Sequence, residues 1–248
     1  MAPLLSIASY NCKHFGGCHV DLKKTFIDKL FKECDIVMLQ EHWLYETQFH
    51  VFNDIISGYN IGMHGSSAMD PNVIRSGRPH GGCIILWREK SSLSVTPIKT
   101  VSTRLNAVIV SVDNVKFLLF NVYMPCDTRG LNNEFNTYQD VLAEITSVIN
   151  VNDTDLVVIG GDFNTDFSRS SFVTEELKQF CESEYLRRCS VIVNCDITYT
   201  FECMATNSRS FIDHMLVSDN FVNCVKKHYC YDGIVNASDH LAIIMHAV

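Results

Sequence analysis

No stretch of this 248-residue sequence reaches the roughly 20 consecutive apolar residues that a membrane-spanning helix needs. The opening residues show no basic segment ahead of an apolar one, so no secretory leader is legible. No Cys-x-x-Cys pair occurs among the eleven cysteines, and their odd number and scatter fit neither a zinc site nor a disulfide framework. These thiols are expected to be small core residues of a protein in a reducing compartment. Internal repeats, low-complexity tracts and linkers are also missing, which leads to an expectation of one domain over residues 1–248. Positive charge is in short supply, with 20 Lys and Arg against 28 Asp and Glu and a formal charge of −8. That balance argues against a protein that grips nucleic acid through a broad basic surface. It leaves room for an enzyme whose acids gather round a metal and whose few cations sit on one rim.

What is present reads as an α/β protein with a large core, 47% hydrophobic and 19% charged. Leu4 to Tyr10 is a buried first strand ending at Asn11, followed by a glycine-containing loop. Asp21 to Phe31 sets Leu22, Phe26, Ile27 and Leu30 on one helical face. The strand Ile36 to Gln40 then runs into Glu41-His42-Trp43, and an amphipathic segment covers Glu46 to Ile56. Gly62 to Gly82, with five glycines and two prolines, reads as a long surface loop. Strands are expected at Cys83–Trp87, Ala107–Val112 and Val115–Val122, the last two joined by Asp113-Asn114 as a hairpin. Glu134 to Ile149 has Phe135, Tyr138, Leu142, Ile145 and Ile149 at helical spacing. Further on come a short helix over Thr174–Cys181 and strand-like segments at Thr198–Phe201, Phe211–Val217, Phe221–Tyr229 and Leu241–His246.

The chain is organised around Asp155-Leu-Val-Val-Ile-Gly-Gly-Asp-Phe-Asn-Thr-Asp166. Leu156 to Ile159 is a β-branched run of the kind buried on both faces of a sheet. Gly160 and Gly161 would let the chain turn out sharply, presenting Asp162 and Asn164 at the end of a rigid strand. Asp can hold a hard cation or orient a water, and Asn can donate to a phosphoryl oxygen without adding repulsion. The same residues are also ordinary turn formers. Asn11, Glu41, Tyr123, Asp213 with His214, and Asp239 with His240 share the placement of Asp162, each at the end of an apolar strand. Such ends converge on one cleft in many α/β proteins.

Asn11, Leu39-Gln40-Glu41, Asn121-Val122-Tyr123, Gly161-Asp162-Phe163-Asn164, Ile212-Asp213-His214 and Ser238-Asp239-His240 occur in the order of the endonuclease/exonuclease/phosphatase superfamily, which the chain resembles from near residue 4 to its end. Gln40-Glu41-His42-Trp43, Gly77-Arg78-Pro79-His80-Gly81-Gly82 and Tyr123-Met124-Pro125-Cys126 look most like the apurinic-type endonuclease domain of non-LTR (LINE-type) retrotransposons. The resemblance implies a four-layer α/β sandwich, two facing mixed β-sheets flanked by helices, with the active site at one edge. It implies that Glu41 holds Mg²⁺, or Mn²⁺ as a substitute, with Asn11 in the same shell and Asp239 as a further metal contact. Asp162 would orient or deprotonate the attacking water and Asn164 place it. His240, held by Asp213, would donate to a phosphate oxygen, as would Tyr123 and, more weakly, Thr200 and Ser238. Where many such endonucleases carry Asn after the Tyr-x-Pro segment, this chain has Cys126, a poor donor.

On this resemblance the partner is duplex DNA, nicked to leave a 3′-hydroxyl that primes reverse transcription. The chain would act in the nucleus as part of a longer polyprotein carrying reverse transcriptase. Glu202 to Ser210, polar between Phe201 and Phe211, would protrude as a hairpin tip that probes the DNA groove with Arg209. Arg75, Arg78, Lys226 and Lys227 are the candidate basic rim. Two other readings stand beside this one. The first is a phosphoesterase of the same fold acting on a small-molecule or lipid phosphate, against which stands the absence of a Trp-Cys-Asp-Arg-type block. The second is a binding module that kept the fold without catalysis, although no catalytic carboxylate or final His is missing.

Overall fold

The computed structural model describes residues 5–15, 19–72, 80–126, 132–193, 195–233 and 235–247. Fourteen strands are described: β1 (Leu5–Asn11), β2 (Ile36–Gln40), β3 (Ile61–Ser66), β4 (Cys83–Arg88), β5 (Leu93–Ile98), β6 (Leu105–Val112), β7 (Val115–Tyr123), β8 (Val157–Asp162), β9 (Leu186–Arg188), β10 (Phe201–Cys203), β11 (Ser208–Ser210), β12 (Asp213–Ser218), β13 (Val225–Cys230) and β14 (Ile243–Ala247). The helices are α1 (Val20–Glu33), α2 (Val51–Ile55), α3 (Asn132–Val151), α4 (Phe172–Ser183) and the single turn α5 (Cys189–Ile192). One six-stranded sheet runs β13-β14-β1-β2-β4-β3, the other β5-β6-β7-β8-β12-β9, and β10-β11 is a separate hairpin. Both large sheets are mixed, with parallel β1–β2 and β7–β8 pairs among antiparallel neighbours.

Side-chain alternation along the central strands builds the layers. Ile7, Met38, Ile85, Val108, Leu119, Val158, Met215 and Met245 face inward and meet between the sheets. Ala8, Tyr10, Val37, Leu39 and Leu86 face outward under Phe26, Ile27, Leu30 and Phe31 of α1. On the opposite outer face Leu118, Phe120 and Ile159 pack against Tyr138, Leu142 and Ile145 of α3 and Leu177 of α4. The expected four-layer α/β sandwich is therefore what the chain forms, with apolar residues on both faces of β1, β2 and β8 because each lies between two layers.

Several local expectations are corrected. The first part of the expected loop is strand β3, whose glycines make room for its neighbour rather than for flexibility. A Cβ on Gly62 would lie 2.1 Å from the Trp87 ring, and one on Gly65 would lie 2.7 Å from Ile84. Residues 73–79 of that segment, with Arg75 and Arg78, lie outside the described residues. Strand β5 carries Pro97 and pairs only with β6, as an edge position allows. Its mixed polar content hid it from the sequence reading, as brevity hid β9. Gly160 and Gly161 do not release the chain, because β8 continues through them to Asp162. A Cβ on Gly160 would meet the Met38 methyl at 2.3 Å, and one on Gly161 would meet the Val122 carbonyl oxygen at 2.0 Å. The two glycines let the sheets and the neighbouring strand close in just before the carboxylate.

Candidate active site

Strand register brings the polar residues together. Asn11 ends β1 opposite Gln40, so Glu41 follows on the neighbouring strand. Tyr123 pairs with Asp162 at the parallel ends of β7 and β8, and Asp162 pairs with Asp213 at the start of β12. Ser9 of β1 pairs with Ile243 of β14, which puts the preceding residues Asp239 and His240 beside Asn11. Beneath this edge a buried amide ladder joins the sheets. Gln40 Nε2 donates to Asn121 Oδ1 at 2.7 Å, and Asn121 Nδ2 donates to the carbonyls of Leu39 and Ile84.

Asp162 is the centre. Its Oδ2 accepts from Asn11 Nδ2 at 2.9 Å and its Oδ1 accepts from the Asn164 backbone N–H at 2.8 Å. The same Asn11 amide donates to Glu41 Oε1 at 3.0 Å, so a single side chain ties the two carboxylates together. His240 Nδ1 lies 2.9 Å from Asp213 Oδ2, and its Nε2 faces Asp162 Oδ2 at 3.9 Å. Asp162, Asp213 and His240 are all essentially buried. Burial pushes the Asp162 carboxyl up to about 7, opposed by the charge of His240. Burial works against protonation of His240, yet Asp213 and Asp162 overcome it and raise its pKa to about 9. Near neutral pH His240 is therefore an imidazolium braced by Asp213, and Asp162 becomes a full carboxylate only as the pH rises past about 7.

The remaining residues divide. Tyr123 is partly buried with the Arg104 guanidinium 5.0 Å over its ring, and burial raises its phenol pKa. Asn164 adopts a left-handed φ of 48° and donates from Nδ2 to the Met124 carbonyl at 2.8 Å. Its Oδ1 accepts from the Cys126 thiol at 3.3 Å, so Cys126 shapes the loop where the resemblance expects an Asn. Trp43 Nε1 donates to Glu41 Oε2 at 3.1 Å and stacks on His14. Arg209 reaches Glu202 across the hairpin and lies 4.2 Å over the Tyr199 ring. The expected hairpin is present as β10–β11, with Met204 84% exposed at its tip.

Other expected site residues have partners within the fold. Thr200 is fully buried, and its hydroxyl oxygen accepts from the backbone N–H groups of Ile212 and Asp213, so it positions β12 and cannot reach substrate. Ser238 donates its hydroxyl to the Asn11 carbonyl and accepts from the His240 N–H, which fastens the turn instead of binding phosphate. Asn11 turns its Nδ2 to the Glu41 and Asp162 carboxylates while its Oδ1 accepts from the Lys13 N–H at 3.0 Å, so it orients both acids. Asp239 is paired with the Lys13 ammonium. Lys227 pairs with His246, which pairs with Ser6, so Lys226 and Lys227 sit at the far end of β1 from Asn11 and cannot form the rim. Beside Asp213, His214 donates into the fold. It is buried against the Thr165 carbonyl at 2.9 Å, and burial drives its pKa down to about 4.

The sequence reading missed Lys13 and Asn236. Asn236 Oδ1 accepts from the Tyr10 hydroxyl at 2.7 Å and from the Ser238 N–H at 2.9 Å, while its Nδ2 donates to the His240 carbonyl. The turn carrying the histidine is thereby locked. A signal existed, in that Asn is a turn former two residues before the Ser-Asp-His block.

A family model described as the Endonuclease/Exonuclease/phosphatase family matches residues 8–240. The chain belongs to this family. Among solved structures it resembles the endonuclease domain of TRAS1, a telomere-specific non-LTR retrotransposon, at 14% identity and TM-score 0.71, covering 99% of this chain and 98% of that one. The AP endonuclease LMAP from Leishmania major aligns at 14% identity and TM-score 0.77 over 98% of this chain and 87% of its own. A Neisseria 3′ phosphatase bound to product DNA hairpin aligns at 16% identity and TM-score 0.70, over 98% and 99% of the two chains. No curated protein matches the sequence. Family membership makes the chain a hydrolase of the phosphoesterase type.

The residues fit a divalent metal. The Glu41 carboxylate is partly exposed and is oriented by the N–H groups of Asn11 and Trp43. A carboxylate oxygen is a fitting ligand for a hard dication. Asp162, Asp213 and His240 have ligand atoms within 4.8 Å of one another and could also hold an ion. Glu41 is the more accessible carboxylate, the Asp162, Asp213 and His240 group being buried. No described helix is long and apolar enough to cross a membrane.

Proposed function

We propose that the protein is a Mg²⁺-dependent endodeoxyribonuclease that nicks duplex DNA and leaves 3′-hydroxyl and 5′-phosphate ends. The observation that carries this is the Asn11 amide bridging Glu41 and Asp162, with His240 braced by Asp213 on the other side of Asp162. Ionised Asp162 orients the attacking water and draws its proton. The His240 imidazolium, fixed by Asp213, donates from Nε2 to a non-bridging phosphate oxygen as charge develops. Tyr123 offers its hydroxyl to the same phosphate. Glu41 would hold a hard dication, which would supply charge neutralisation at the scissile phosphate. The freed 3′-hydroxyl would prime reverse transcription of a LINE-type element in the nucleus, in a polyprotein that also carries the polymerase. Resemblance to the retrotransposon endonuclease domain and to AP endonucleases supports that setting over a small-molecule phosphatase. Supercoiled plasmid should be nicked with Mg²⁺ and left intact in EDTA, and a polymerase should extend the nick directly. Products that a polymerase cannot extend would defeat the reading.

The hairpin β10–β11 is the element placed to choose the site. Its root is stitched to the catalytic turn by Glu202 N–H to the Asp239 carbonyl and Leu241 N–H to the Thr200 carbonyl. Arg169 braces the other strand through the Arg209 carbonyl and the Ser210 hydroxyl. Arg209 lies on this arm, and a narrow minor groove would draw its guanidinium away from Glu202. Replacing Met204 to Ser208 with a short Gly-Ser turn should change where a plasmid is nicked more than it changes the total rate. Mapped nick positions identical to those of the unaltered protein would make the hairpin an idle turn.

A further inference from the structure

The acidic edge has a cation built into it. Lys13 carries its ammonium to Asp239 Oδ2, while its side chain keeps 49% of its surface exposed. Asp239 in turn accepts through its backbone carbonyl from Glu202 N–H, at 2.9 Å, so the ammonium stands where the hairpin root meets the catalytic carboxylates. The backbone holds it there at a cost. Lys13 and His14 both adopt left-handed φ, 39° and 75°, which non-glycine residues avoid. The buried Lys23 of α1 donates to both of their carbonyls and keeps the turn in place. Among the described residues, Arg104 is engaged on the Tyr123 carbonyl and ring, Arg169 on the hairpin backbone and Arg209 on Glu202.

We propose that Lys13 binds a DNA backbone phosphate at the root of the hairpin, aimed by Asp239, and that Asp239 is a positioning residue for this contact rather than a metal ligand. This rests on the endonuclease reading. A protein of formal charge −8 that presents Glu41, Asp162 and Asp239 at one edge repels a polyanion unless fixed positive charge meets it there. An ammonium has three donors, so pairing with one carboxylate oxygen leaves two for phosphate. The same ammonium also opposes a second dication at Asp239. The other Asp239 oxygen, Oδ1, is buried without a hydrogen-bond partner among the described residues.

The test is duplex binding in EDTA, followed by anisotropy of a labelled oligonucleotide across a salt series. Each phosphate contact contributes about 0.9 to the slope of log K against log salt. Lys13→Gln should reduce the slope by about that amount and weaken binding several-fold at low salt, and Lys13→Arg should restore both. In an Asp239→Asn background the Lys13→Gln change should shrink. Calorimetry with Mn²⁺ should give the same affinity for Asp239→Asn as for the unaltered protein. A Lys13→Gln slope equal to the original overturns the phosphate contact. Loss of Mn²⁺ binding in Asp239→Asn, or a full-size Lys13 effect in that background, overturns the aiming role. Absence of salt-dependent duplex binding by the unaltered protein overturns the endonuclease reading itself.

Discussion

Replacing Asp162 by Asn should lower the nicking rate by about 10²–10³-fold, the usual cost of removing one preorganised transition-state contact. The melting temperature should stay within a few degrees. The two expectations have one cause. Asn keeps the oxygen that accepts from the Asn164 N–H, so the loop is held, but it loses the acceptor that Asn11 Nδ2 uses and cannot take a proton. Burial already penalises the charged form of Asp162, so a neutral isostere relieves a cost as the function is lost. His240→Ala should lose a similar factor in rate but also stability. Asp213, 1% exposed, would be left as a buried carboxylate without its imidazolium, a loss on the order of 3–5 kcal/mol. Adding Asp213→Asn should return much of the stability and none of the rate. Plasmid nicking and thermal melts on the four proteins check this. Near-full activity of Asp162→Asn would reduce the Gly-Asp-Phe-Asn stretch to a turn.

The core was legible because each central strand is sandwiched between layers, so Ile36 to Gln40 and Leu156 to Ile159 announce themselves as uninterrupted apolar runs. The site was legible for a related reason, since its acids, amides and histidine stand at the ends of those runs. Where elements were missed, the side chains were answering a neighbour rather than a pattern. Gly62 and Gly65 looked like loop residues because the sequence does not show Trp87 and Ile84 lying over them. Thr200 and Ser238 illustrate a second limit. A hydroxyl near a catalytic block can serve a phosphate or a backbone N–H, and only the fold reveals that the Ile212, Asp213 and His240 amides claimed them. Lys226 and Lys227 show a third. Charge on a strand near the end of the sequence says nothing about which end of the sheet it occupies until the register with β14 is known. Lys13 escaped because a lone lysine in a glycine-containing loop carries no periodic signal, and its direction is set by two left-handed residues.

The pH dependence of nicking should be a bell whose alkaline limb belongs to His240. The productive form has Asp162 ionised and His240 protonated, so activity needs a pH above the first pKa and below the second. Burial sets Asp162 near 7 and the flanking carboxylates hold His240 near 9, which puts the maximum between them and a roughly tenfold fall per pH unit above the upper limb. Metal bound beside Asp162 favours its charged form, so raising Mg²⁺ should move the acid limb downward and shift the alkaline limb much less. Stability of the metal-free protein follows the opposite sign from an ordinary salt-bridged carboxylate. Both groups hold their protons more tightly folded than unfolded, so the folded state binds more protons and stability falls as pH rises. The Asp162 contribution is lost from the usual carboxylate range up to about 7, and that of His240 from about 6.5 up to about 9. Urea midpoints in EDTA should therefore decline between pH 7 and 9, and His240→Gln should flatten that interval. Below pH 7 the buried His42, His214 and His228, whose pKa values burial drives down to about 4, gain stability as pH rises and oppose the Asp162 loss. A flat interval from pH 7 to 9 in the unaltered protein, or a decline there that survives His240→Gln at full size, would mean that the imidazolium is not held between Asp213 and Asp162 and that another group must donate to the phosphate.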